Sequence, residues 1–171
     1  MVCRLSLGRD DVVATDEELS EALEQSERMR SRLLDLVDED TVAFGAIMDA
    51  VRMPKADQAQ RSARGAALTK ATLGAAAVPL ETLSAARQTL ALAASLAGRA
   101  NTGTASDLGV AVQLARAAAE GALLNVAINL SSLPPGDGVD RYRREGQAEI
   151  EAARASAGAA AATIAGGLGL E

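Results

Sequence analysis

Only four prolines interrupt this chain, at positions 54, 79, 134 and 135, and between them run long stretches rich in Ala, Leu, Glu and Arg. Such residues lose little freedom in a helix, so helix propensity is high nearly everywhere. Val and Ile nowhere alternate with polar residues over a strand length, which leaves no sheet to expect. The chain is therefore predicted to be all-α, a bundle of long, largely up-and-down helices. Its residues are 49% hydrophobic but only 1% aromatic, so the core must be built from Ala, Leu, Val and Ile, side chains small enough for helices to approach closely. A length of 171 residues suffices for one domain with its own core, and residues 1–171 are expected to form one.

A net charge of −6 argues against nucleic acid as a partner, because phosphate binding needs a concentrated basic face. The single cysteine, Cys3, has no internal disulfide partner. The absence of histidine removes the commonest general base and metal ligand together, leaving acid–base chemistry to Asp, Glu, Lys, Tyr or Cys, with no metal site expected. No window of about 20 strongly apolar, uncharged residues exists to span a membrane, and a cytoplasmic location is the default.

Met1 to Leu7 reads as the last turns of an apolar helix closed by Gly8, so residues 1–8 are expected to be the end of a truncated first helix. Thr15-Asp-Glu-Glu18 is a capping box that opens a helix from about Asp16 to Val51, ended by Pro54. The charged residues in its first half, Arg32 among them, read as a solvated face. A second long helix is predicted from about Gln60 to Arg99, kinked at Pro79 with freed backbone groups. A third follows, capped by Thr104 or Ser106 and reaching about Leu130, with Asp107, Val110, Leu114, Gly121, Asn125 and Ile128 on one face. Gly121 in mid-helix suggests a close crossing. Pro134-Pro-Gly-Asp-Gly138 is a turn, and the last helix, from about Val139, is expected to fray over residues 158–171.

One position stands out. Leu33, Val37, Phe44, Met48 and Val51 share one helical stripe, which the periodicity marks as a buried face, and Asp40 lies in its middle. A buried carboxylate is paired, protonated or used in chemistry, since burying it ionised and alone is too costly. A structural acid satisfied by an Arg or a backbone amide and a chemical acid both fit that position. Asn125 and Asn129, one turn apart in an apolar helix, pose the same question.

Taken in order, Met1-Val-Cys-Arg-Leu-Ser-Leu-Gly-Arg9, Asp38-Glu-Asp-Thr-Val-Ala-Phe44, Met53-Pro-Lys55, Val78-Pro-Leu-Glu81, Asn101 with Ser106-Asp107-Leu-Gly-Val110, and Glu120-Gly-Ala-Leu-Leu-Asn-Val-Ala-Ile-Asn-Leu130 resemble the formimidoyltetrahydrofolate cyclodeaminase and methenyltetrahydrofolate cyclohydrolase family. The resemblance runs from Met1 to about Leu133. It implies the helical cyclodeaminase fold, a homodimer or larger assembly, a tetrahydrofolate derivative as substrate with no permanently bound cofactor, and Asp40 as the catalytic acid. Beside it, Asn125, Asn129 and Asp107 are candidates either to orient the pterin or one-carbon unit or to make structural bonds between helices. Arg9 and Lys55 are candidates either to hold the glutamate tail's carboxylates or to stay solvated, and Phe44 either to stack on the ring or to pack in the core. Asn101 belongs to a matching motif and is a further candidate contact. Two departures stand out: the family's Gly-rich segment and most of its first helix are absent before Met1, and Asp10-Asp11-Val12 replaces basic and aromatic residues, weakening attraction for the anionic folate tail.

The reaction these residues suit is hydrolysis of the methenyl bridge of 5,10-methenyltetrahydrofolate, with cyclodeamination of the 5-formimino form as the alternative. The cyclohydrolase is favoured because the chain carries no formiminotransferase partner, an argument from analogy. A non-catalytic dimerisation module is the reading from another class. A solvent-exposed Asp40 would favour a third, a generic helical-bundle binding protein.

Overall fold

The computed structural model describes residues 1–170. It contains α1 (Val2–Ser6), α2 (Asp16–Arg52), α3 (Gln58–Leu96), a single 3-10 turn (Thr102–Thr104), α4 (Ala105–Ser131) and α5 (Asp137–Leu168), and no strand among the described residues. No helix of the described residues is long and apolar enough to cross a membrane.

α3 is the central element because it is the helix with small apolar side chains on every side. Ala75, Ala76, Pro79, Leu83, Ala86, Leu90 and Ala93 are all buried, which lets α2, α4 and α5 pack directly against it. Leu19 from α2, Leu83 and Leu90 from α3, Val112, Val126 and Leu130 from α4 and Ile150 from α5 are the largest fully buried side chains between them. Burying each is worth about 1.5–3 kcal/mol. Ion pairs tie the helices at their margins, Arg87 of α3 to Glu149 of α5 at 2.6 Å and Arg154 of α5 to Glu120 of α4 at 2.7 Å.

The start of α2 is fixed as its sequence dictates. The Thr15 backbone N–H donates to Glu18 Oε2 at 2.8 Å, and the Glu18 N–H donates back to Thr15 Oγ1 at 3.2 Å. Arg99 also donates to both Glu18 oxygens, at 2.8 and 2.7 Å, holding that carboxyl below its ordinary range, with the Thr15 amide the second cause. Gly8 adopts φ 67°, a left-handed turn that suits glycine, and its N–H donates to Asp16 Oδ1 at 2.8 Å.

Three expectations need correction. Residues 158–170 do not fray: α5 continues to Leu168 because Ala160 and Ile164 are buried against the start of α4; Glu171 lies outside the described residues. The stripe on α2 is not a buried face. Val37 and Phe44 are 64% and 63% exposed, and from Val37 to Gly74 only Ala50 is buried. This half of α2 pairs with the first half of α3 as a two-helix arm, and among the described residues nothing covers its outer side. Likewise the face of α4 carrying Asp107, Val110, Leu114, Asn125 and Ile128 points outward, while Leu108, Val112, Ala119, Ala122, Val126 and Leu130 are buried. Gly121 makes no close crossing, since a Cβ there would meet nothing within 4 Å.

Candidate active site

Where the arm joins the bundle, α2, α3 and α4 enclose a cleft of about 540 Å³. Leu33, Val37, Asp40 and Thr41 form its α2 wall, Val78, Pro79 and Thr82 its floor on α3, and Ala118, Gly121 and Asn125 its α4 wall. Each wall follows from local sequence. Spacings of three and four residues put Leu33, Val37, Asp40 and Thr41 on one side of α2. Gly121 contributes no side chain and leaves space beside Asn125. The hydroxyls of Thr41 and Thr82 donate to the carbonyls of Val37 and Val78 at 3.3 and 3.1 Å, so both present their methyl sides to the surroundings. The volume falls within the range of small-molecule sites.

Asp40 and Asn125 are thus brought to one cleft from two helices that both pack on α3. Asp40 accepts no hydrogen bond and pairs with no cation among the described residues. Its side chain is exposed, contrary to the burial expected from the stripe, because no other element of the chain lies over that face of α2. It faces the cleft, but the cleft is open, the exposure that on sequence alone would favour a generic helical-bundle binding protein.

The remaining candidates divide by what their polar atoms already do. Asn129 donates from Nδ2 to the Ala75 carbonyl at 3.3 Å. Asn101 donates from Nδ2 to the Leu5 carbonyl and from its backbone N–H to Ser6 Oγ, both at 2.9 Å, and its Oδ1 caps the Gly103 N–H. It anchors α1 and does not line the cleft. Arg9 is held by Asp11 through two bonds of 2.8 and 2.7 Å, so the acidic substitution noticed in the sequence occupies the guanidinium. Lys55 is exposed in the loop before α3, and Phe44 lies one turn beyond Asp40, outside the cleft lining. Asp107 is exposed in the first turn of α4, about 27 Å along the helix from Asn125, too far to share one small ligand.

Thr41, Thr82, Pro79 and Gly121 escaped the sequence reading as site residues. The Val78-Pro-Leu-Glu81 motif was the available signal: it carries part of the family resemblance, but its residues were read as a kink and not as part of a site. A larger groove of about 760 Å³ runs along the opposite side of the arm, lined by Val42, Ala46, Met53, Ala67, Ala71 and Gly74. Asp38, Glu39, Asp49 and Lys70 also line it, but most of its exposed surface is apolar.

A family model described as formiminotransferase-cyclodeaminase matches residues 1–151. The chain belongs to that family. Among family relatives, the methenyltetrahydrofolate cyclohydrolase of Methylorubrum extorquens is 36% identical over 160 residues, covering 93% of this chain and 74% of that protein. The formimidoyltransferase-cyclodeaminase of Mus musculus is 31% identical over 133 residues, and this chain spans only 25% of its length. The crystal structure of formiminotetrahydrofolate cyclodeaminase from Thermotoga maritima superposes with a TM-score of 0.78 at 23% identity, covering 99% of this chain and 78% of that one. The helical cyclodeaminase fold expected from the resemblance is the fold observed.

Proposed function

We propose that this family member hydrolyses 5,10-methenyltetrahydrofolate to 10-formyltetrahydrofolate in the α2–α3–α4 cleft, with Asp40 as general acid and base. The observation that carries this reading is the convergence of an unpartnered carboxylate and an amide, Asp40 and Asn125, on one cleft of ligand size. The substrate carbon between N5 and N10 is a cationic amidine. A carboxylate beside it stabilises the cation and takes a proton from the attacking water as the C–O bond forms. Returning that proton to N5 as the C–N5 bond breaks, while the hydroxyl proton is released to solvent and the C=O bond forms, leaves the formyl group on N10. No step requires a resident cofactor. In this reading Asn125, which lines the same cleft, holds the pterin or the one-carbon oxygen by hydrogen bonds.

An exposed carboxylate is a poor general base until water is excluded. Val37 and Phe44 beside Asp40, and Leu124 and Ile128 at 70% and 65% exposure on α4, form apolar surface around the cleft. A second copy of the chain covering that surface supplies the missing shield, so the active form under this reading is a homodimer or larger.

Cyclodeamination is the second reading, favoured by the identity to the mouse protein. There N10 attacks the formimino carbon and ammonia leaves with a proton from the same carboxyl. The cyclohydrolase is preferred because that relative matches along 93% of this chain. Purified protein should bleach the methenyl chromophore and release no ammonia from the 5-formimino form. The reverse outcome selects the deaminase, and silence in both assays sinks the enzymatic reading.

A further inference from the structure

We propose that Arg32, joined to Glu81 across the α2–α3 seam, is a positioning residue that sets where α2 presents Asp40 to the cleft. The inference rests on the assignment of Asp40 made above. Arg32 Nε and Nη2 donate to Glu81 Oε1 and Oε2, both at 2.7 Å, a two-pronged arrangement that fixes direction as well as distance. Nη1 and Nη2 also donate to Glu39, the latter at 3.0 Å. One guanidinium therefore ties together the residue before Asp40 and the residue two positions after Pro79, the floor of the cleft.

The position of this tie gives it leverage. Buried side chains anchor α2 at Leu19, Ala22, Met29 and Leu36, but beyond Leu36 the only buried residue is Ala50, near the far end of the arm. The turn carrying Asp40 lies in the unanchored interval, and α4 offers it no hydrogen bond. Isolated surface ion pairs fix little, but a two-pronged guanidinium shared between two carboxylates on two helices is the geometry in which they do. The Arg32 hydrogen bonds hold Glu81 and Glu39 below the ordinary carboxylate range, so the three-group clip stays charged further into acid than free carboxylates do.

The test uses the full chain and turnover of 5,10-methenyltetrahydrofolate. Arg32→Gln is expected to lower kcat about ten- to a hundredfold, the scale of an ångström-sized misplacement, with KM changed less than about twofold. Arg32→Lys should recover part of that loss by keeping the charge without the fork, and Glu81→Gln should reproduce it. In an Asp40→Asn background, Arg32→Gln should have no further effect on the residual rate, an outcome a merely structural role would not give. Arg32→Gln and Glu81→Gln at wild-type kcat, or losses that multiply with Asp40→Asn, overturn the proposal. Should Arg32→Gln fail to fold, Glu81→Gln decides alone. Asp40→Asn by itself separates the two ideas: if it keeps full turnover, the assignment of Asp40 fails with everything built on it, whereas an inactive Asp40→Asn beside a fully active Arg32→Gln refutes only the clip.

Discussion

The Asn129 side-chain amide donates at 3.3 Å to the carbonyl of Ala75, the carbonyl that would accept the backbone N–H of residue 79 were that residue not a proline. α3 runs through Pro79 without interruption, and a side chain from α4 supplies the donor the ring removed. Asn129→Ala should therefore cost about 1 kcal/mol of unfolding free energy, the usual net worth of a hydrogen bond. In a Pro79→Ala background residue 79 donates to Ala75 itself, and the same substitution should cost close to nothing. Urea denaturation of the four variants measures this coupling, and equal costs in both backgrounds would refute it.

That relationship also shows what the sequence could not convey. Asn125 and Asn129 sit one turn apart with the same apolar neighbours, yet one lines a cleft and the other repairs a helix. The difference is set by Ala75, 54 residues earlier. Helix ends depend on neighbours in sequence and were legible: the helix expected over Asp16 to Val51 ends at Arg52. Periodicity also grouped residues onto faces correctly, as for Val110, Leu114, Asn125 and Ile128, but a repeat identifies companions on a face without revealing what covers it. Arg32 read as solvated for the same reason, its partner Glu81 being 49 residues away. Asp40 was legible as an acid among apolar residues, and its exposure was not.

Asp40→Asn should separate chemistry from stability. The carboxylate makes no hydrogen bond or ion pair among the described residues, so the unfolding midpoint should stay at the wild-type value. Loss of general catalysis should lower kcat by about 10²–10⁴-fold. Stopped-flow absorbance of the methenyl form and a thermal melt on the same sample check both halves.

Glu18 gives a pH dependence of known sign. Its carboxyl is held below its ordinary value of 4.5 by Arg99 and then by the Thr15 amide, so the folded pKa lies below the unfolded one. A depressed carboxyl contributes stability that is fully present above the unfolded pKa and disappears as pH falls through the folded pKa. Wild-type protein should therefore exceed Glu18→Gln in urea midpoint at pH 6, and the gap should close progressively as pH falls below about 4.5. A gap that is constant with pH would show that the cap acts through shape and not charge.

Leu124 and Ile128 carry the last prediction. Both project from the outward face of α4, next to the cleft wall formed by Gly121 and Asn125, and neither belongs to the core of the chain. Contiguous exposed apolar surface of this kind marks an association site. If a second copy covers it, Leu124→Glu with Ile128→Glu should yield a species that sediments as a monomer, keeps its helical circular dichroism and loses turnover, because Asp40 is left open to water. Wild-type protein diluted below its dimerisation constant should lose specific activity in parallel. A doubly substituted monomer as active as the parent would instead mean that the cleft works uncovered, and the exclusion of water around Asp40 would need a source within the chain.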